Sequence, residues 1–188
     1  NAVRNGHDFI ADAYKKGIRT FLVSDNIDIK LYPGANFIEV AHTVQALQQI
    51  AQQHRLSFDL PVIGITGSNG KTVIKEWLYQ LLSVDQDIVK SPKSYNSQIG
   101  VALSVLQMEA QHKLAIFEAG ISQPGEMQKL ATMIKPNIGV FTNIGEAHSE
   151  GFLNERQKIN EKLQLFSDAE VLVYCKDYLT LHENIVQY

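Results

Sequence analysis

The run Val62-Ile63-Gly64-Ile65-Thr66-Gly67-Ser68-Asn69-Gly70-Lys71-Thr72 constrains this chain more than any other stretch. It reads as a buried strand, a glycine turn and a helix that opens on Lys-Thr. Ile74, Trp77, Leu78, Leu81 and Leu82 then repeat at i, i+3, i+4, i+7 and i+8, the spacing of one helix face. A strand that turns through glycines into a helix N-terminus aims successive backbone N–H groups, and the positive end of the helix dipole, at one point. That is a cradle for a phosphate.

The pattern is that of a P-loop with one glycine displaced. The usual spacing places a glycine five residues before Gly70, where this chain has Ile65; glycines stand instead at 64 and 67. Gly67, Ser68, Asn69, Gly70, Lys71 and Thr72 are therefore the expected nucleotide-phosphate contacts. The Lys71 ammonium would reach the β/γ-phosphates and the Thr72 hydroxyl would ligate Mg²⁺. The competing reading is a tight turn followed by a surface lysine.

Composition narrows the partners. A net charge of −3 over 188 residues argues against a general nucleic-acid binder, so anionic ligands must be held locally. The hydrophobic share of 45% is that of an ordinary soluble chain able to build a core without staples. A single cysteine, Cys175, cannot form an internal disulfide, which fits a reducing cytoplasm. No apolar run approaches the roughly 18–20 residues of a membrane span, and no signal peptide opens the chain.

Before the central run, residues 7–14 read as a helix burying Phe9, Ile10 and Ala13 and stopped by Gly17. Strands are expected at 18–23 and 36–40, and a helix at 43–54 with Val44, Leu47, Ile50 and Ala51 inward. This is a partial small α/β unit, residues 1–59, joined by a linker at 55–61 to a second domain, 60–188. There, strands at 62–66, 87–90, 113–118, 137–142 and 170–174 alternate with helices at 72–83, 98–108, 124–134 and 155–166. The fold class is α/β, with a mainly parallel sheet covered on both faces. Ligands of such sheets bind beyond the strand carboxyl ends.

The residues after each strand are therefore the candidates. Glu118 ends an apolar strand beside the P-loop, where a hard carboxylate oxygen could contact Mg²⁺ or water; a solvated strand-end glutamate is the alternative. His148 lies in the polar loop 142–152, either as a metal or phosphate ligand or simply solvated. Residues 91–98 are rich in hydrogen-bonding side chains and suit a phosphate or sugar contact, or an ordinary cap with Ser97 as N-cap. Lys162 flanks the buried stripe of Ile159, Leu163 and Phe166, where it could face the cleft or snorkel.

The run 64–72, Glu118, and Thr142-Asn143-Ile144-Gly145-Glu146-Ala147-His148, in that order, resemble the Mur ligase family, which assembles the peptide of the peptidoglycan precursor. The displaced glycine is that family's own variant. Tyr95-Asn96-Ser97-Gln98-Ile99-Gly100-Val101, residues 147–152 and Gly6-His7-Asp8-Phe9-Ile10 are most similar to the MurF type, which adds D-alanyl-D-alanine. The wording of 91–97 resembles the variant fused to an alanine racemase, although nothing of a racemase is present.

The resemblance implies an ATP-dependent ligase of cytoplasmic cell-wall precursor synthesis, acting on UDP-N-acetylmuramoyl-tripeptide and D-alanyl-D-alanine. These are small-molecule partners, and no feature fixes an oligomeric state beyond the monomer. It implies Lys71, His148 and Lys162 as catalytic residues, and Thr72, Glu118, His148 and Lys162 around Mg²⁺. Lys162 falls where the family carries a lysine carbamylated by CO₂. Ser94, Asn96, Ser97, Gln98 and Asn143 would contact the substrate. The family has three domains, so the resemblance also implies that the start of the first and all of the third are missing. The rivals are folylpolyglutamate synthase within the family, another P-loop enzyme, and a non-catalytic P-loop fragment. A GTPase is disfavoured because no Asn-Lys-x-Asp run occurs.

Overall fold

The computed structural model describes residues 5–145 and 151–187, which form two compact units, one to Leu47 and one from Gln48. In the smaller, a turn of 3-10 helix (Gly6–Phe9) runs into α1 (Ile10–Lys15), and β1 (Thr20–Val23) pairs in parallel with β2 (Asn36–Glu39). Its core gathers Ile10, Phe21 and Val23, with the Phe21 and Phe37 rings stacked at 5.2 Å. Phe9 was expected inside but is exposed, because it ends the 3-10 turn and is out of phase with the inward face of α1.

Helix α2 (Thr43–Leu56) runs past its expected end and past the division between the units. Val44 and Ile50 are exposed, against expectation; the buried positions are Ala51 and Arg55, one turn apart. Arg55 does the work of a C-cap for another helix. Its guanidinium donates to the carbonyls of Ile134, Lys135 and Phe58 at 2.8–3.2 Å. These are backbone acceptors that a helix end leaves without partners.

The larger unit is built on five parallel strands in the order β4-β5-β3-β6-β7. They are β3 (Val62–Thr66), β4 (Ile88–Lys90), β5 (Leu114–Glu118), β6 (Ile138–Phe141) and β7 (Val171–Tyr174). The connecting helices are α3 (Lys71–Leu82), α4 (Gln98–Val105), α5 (Glu126–Ile134) and α6 (Glu155–Leu163). A 3-10 turn, Gln164–Phe166, extends α6, and α7 (Leu179–Gln187) follows β7 without having been expected. The α/β class and parallel sheet agree with the alternation read from the sequence.

Packing explains the details. Strands β3 and β5 are buried at every position, as their unbroken apolar runs require. Gly64 and Gly139 are register partners on β3 and β6. A Cβ on Gly139 would stand 2.5 Å from the Phe166 ring, so the glycine lets the 3-10 turn lie directly on the sheet. On α3, Ile74, Leu78 and Leu82 reach the core, whereas Trp77 and Leu81 face outward, a correction to the expected stripe. The side chain of α3 that is buried outright is Lys75.

From β3 the chain moves outward to β4, returns to β5, then crosses to β6 on the far side of β3. The connections after β3 and its two neighbours diverge, and a cleft opens at their carboxyl ends.

Candidate nucleotide and ligation site

Ile65 belongs to β3 and is fully buried, so the turn cannot begin until Gly67. Gly67 has φ +142°, and a Cβ there would lie 2.0 Å from Thr142 Oγ1. Gly70 has φ +81° and caps α3. Both conformations favour glycine, which accounts for the displaced spacing. The loop is fastened to the end of β6: Ser68 N donates to Asn143 O at 2.9 Å, Asn69 N to Asn143 Oδ1 at 3.0 Å, and Thr142 Oγ1 to Asn69 O at 2.6 Å. Asn143 is thus engaged with the loop itself.

Two ammonium groups converge on one carbonyl. Lys71 Nζ donates to Gly67 O at 2.9 Å and to Ser68 O at 3.3 Å; Lys162 Nζ, from α6, donates to the same Gly67 O at 3.2 Å. Burial lowers the Lys71 pKa, the nearby Glu118 partly offsets this, and Lys158 lowers it further. Lys162 is only 2% exposed, and its pKa falls to about 7, first through burial and then through repulsion from Lys71 and Lys158. At neutral pH a large fraction of it is a free amine, an uncommon state for lysine.

Across the loop, Thr72 Oγ1 donates to Glu118 Oε2 at 3.0 Å. Glu118 is fully buried, and its Oε1 makes no hydrogen bond, although Lys75 Nζ stands 2.9 Å away, off the hydrogen-bonding direction. A hydroxyl and an under-satisfied carboxylate oxygen are the hard donors Mg²⁺ takes. Among the described residues no three His, Cys, Asp or Glu side chains come together as a metal-binding group.

A cleft of about 350 Å³ continues from Lys71 and Lys162 past Asn96, Ser97, Gln98, Gly120 and Glu126. Ser97 Oγ caps α4 by accepting from Gly100 N, and Gln98 Nε2 donates to Glu126 O at 3.0 Å. Asn96 O accepts from Gly120 N at 2.8 Å. Ser94 is exposed and does not line the cleft. His148 lies outside the described residues. A larger groove of about 510 Å³ passes Lys135, Pro136 and Asp168, next to the amino ends of β6 and β7, away from this chemistry.

The sequence reading missed three groups here. Lys158 shares a helix face with Lys162, and its Nζ donates to Gly145 O; i, i+4 spacing was the available signal. Lys75 stands in the same relation to Lys71. Glu126 is a cleft wall, but its carboxylate also accepts from Ser122 N and Gln123 N, and nothing local in the sequence marks that role.

The Mur ligase middle domain matches residues 65–185, from the end of β3 into α7. The chain belongs to the Mur ligase family. It is 34% identical to the UDP-N-acetylmuramoyl-tripeptide–D-alanyl-D-alanine ligase of Bacillus subtilis over 179 residues, covering 92% of this chain and 38% of that protein. It is 35% identical over 165 residues to the ligase of the same name from Rickettsia prowazekii, covering 88% of this chain and 36% of the relative. Among solved structures, the MurF ligase of Thermotoga maritima in complex with ADP superposes with a TM-score of 0.85 at 27% identity, over 100% of this chain and 44% of the other. The chain therefore spans less than half the length of the Mur ligases it matches.

Proposed function

We propose that this chain supplies the nucleotide-binding half of a MurF-type ligase, the ATP-dependent enzyme that joins D-alanyl-D-alanine to UDP-N-acetylmuramoyl-tripeptide in cytoplasmic peptidoglycan precursor synthesis. The observation that carries this is the convergence of Lys71, Thr72, Glu118 and Lys162 around the Gly67–Gly70 turn at the sheet's switch point. The similarity to UDP-N-acetylmuramoyl-tripeptide–D-alanyl-D-alanine ligases supports the reaction, and the ADP complex of the Thermotoga maritima relative supports a nucleotide as ligand.

Joining a carboxylate to an amine in water is uphill, so the carboxylate must first be activated. A carboxylate oxygen of the tripeptide attacks the γ-phosphorus of ATP, the bond to the β-phosphate oxygen breaks, and ADP leaves. The amine of D-alanyl-D-alanine then attacks the acyl phosphate carbon, loses a proton and expels phosphate. Two anions must meet in the first step, so the residues act mainly by positioning and charge neutralisation.

The backbone amides at the start of α3 receive the phosphates, and Lys71 exchanges its loop carbonyls for a phosphate oxygen. Lys158 adds positive potential on the α6 side, where the second anion would approach. Asn96, Ser97 and Gln98 wall the route from the substrate side, with Asn143 holding the loop against β6. Thr72 and Glu118 fit Mg²⁺ through the donors described above, with His148 as a further ligand. The bound ion would neutralise phosphate charge.

Lys162 also fits a carbamate formed with CO₂. A near-neutral amine is the nucleophile such a reaction needs, and the cations that disfavour its ammonium favour the anionic carbamate. A carbamylated Lys162 would bring oxygen donors to the same cation.

The test is phosphate release by the ligase that contains this chain. Release should require both UDP-N-acetylmuramoyl-tripeptide and D-alanyl-D-alanine. Release that proceeds with folate and glutamate instead would move the assignment to folylpolyglutamate synthase.

A further inference from the structure

Lys75 is fully buried one helical turn beyond Lys71, and the proposed chemistry does not use it. Its ammonium meets four oxygens. It lies 2.9 Å from Glu118 Oε1 and 3.2 Å from Glu76 Oε1, and it donates to Ser91 O at 2.8 Å and to Lys93 O. Two of these partners belong to the loop that follows β4. Lys93 sits at φ +50°, a left-handed conformation unfavourable to a non-glycine residue. Such a conformation persists only where its surroundings hold it. Here the holding group is Lys75, whose ammonium takes the inward-turned Lys93 carbonyl. Ser91 closes the circuit, because its hydroxyl accepts from Glu118 N at 3.1 Å.

We infer that Lys75 is a positioning residue that ties the Glu118 carboxylate and the 91–98 loop into one register, so that a single buried ammonium sets both the carboxylate beside Thr72 and the Asn96–Gln98 wall of the cleft. The inference rests on the nucleotide-site reading for its consequence at Glu118. Its consequence for the loop stands on the contacts alone. Lys71 acts on the ligand directly, whereas Lys75 has no surface to offer one.

Amide hydrogen exchange on this chain reads the loop without any ligand. Tyr95 N, bonded to Pro92 O, and Gly120 N, bonded to Asn96 O, are the reporters. Lys75→Met should speed both at least tenfold relative to core amides of β6. Adding Lys93→Gly should bring them back to within threefold, since glycine keeps the left-handed turn without a tether. Should Lys75→Met not fold, Lys93→Pro gives the same reading from an exposed position: it forces φ to about −65° and turns the carbonyl away. Unchanged exchange in these variants, or no recovery with glycine, overturns the tether.

For Glu118, the readout is the Mg²⁺ concentration that half-saturates ADP binding. Lys75→Met and Glu118→Gln should each raise it about tenfold, and the double variant should add less than twofold to either single one. Effects that multiply would mean that Lys75 does not act through Glu118. Absence of ADP binding by the unsubstituted chain would overturn the nucleotide reading instead, and the exchange data would still decide the tether.

Discussion

Two helices each carry a pair of lysines, four residues apart, and one lysine of each pair reaches the Gly67 carbonyl. On α3 they are Lys71 and Lys75; on α6 they are Lys158 and Lys162. Lys75 and Lys162 are equally sealed from water, at 0% and 2% exposure. They differ in what faces them. Lys75 lies against the Glu118 and Glu76 carboxylates, whereas Lys162 has the Gly67 carbonyl for a partner and two further cations for neighbours. The charges beside them, not the depth of burial, distinguish the two amines.

The largest expected effect lies on the paired side. Lys75→Met leaves Glu118 as an uncompensated buried charge, and breaking such a pair costs about 3–5 kcal/mol. Urea unfolding should show that loss at pH 7, and a loss below about 1 kcal/mol would end the distinction. Gly67→Ala comes next. Its Cβ would collide with Thr142 Oγ1 at a backbone angle alanine avoids, so a loss of about 2–3 kcal/mol is expected from the strain and the displaced loop, read from the same unfolding curves.

On the α6 side the expected sign is opposite, and it depends on pH. The folded Lys162 releases its proton near 7, the unfolded one near 10.5. Below about pH 7 both states are protonated and the full cost of burying the ammonium is present. Between the two values the unfolded state binds more protons, so this group's contribution to stability improves as pH rises. Lys162→Met should therefore raise the melting temperature most at pH 6, by a few degrees, and progressively less toward pH 10. A benefit that grows with pH would contradict the assignment. A control tests packing away from both pairs: Gly139→Ala presses on the Phe166 ring and should cost about 1–3 kcal/mol without changing nucleotide affinity.

The contrast also shows what a sequence can carry. The strand, turn and helix of the phosphate loop were legible because their signals are local: an apolar run, glycines where φ must be positive, and a helical repeat after Lys71. Lys162 was legible as a lysine flanking a buried stripe, yet its near-neutral pKa arises first from burial in the folded chain and then from repulsion by Lys71, ninety-one residues earlier, and by Lys158. Lys75 was passed over because its partners, Glu118, Ser91 and Lys93, come from two other strand ends. Trp77 and Leu81 were placed inside by periodicity alone; which part of an apolar arc meets the sheet depends on how the helix seats, and here Lys75 takes part of that face.

Thermal unfolding with Mg²⁺ and ADP reports directly on whether this loop binds nucleotide phosphates. At a hundredfold excess over Kd, binding to the folded chain adds about 2.7 kcal/mol, a rise of several degrees. That rise is expected for the unsubstituted chain, and its loss in Lys71→Ala. An equal rise in both would contradict the assignment of the phosphate site to this loop.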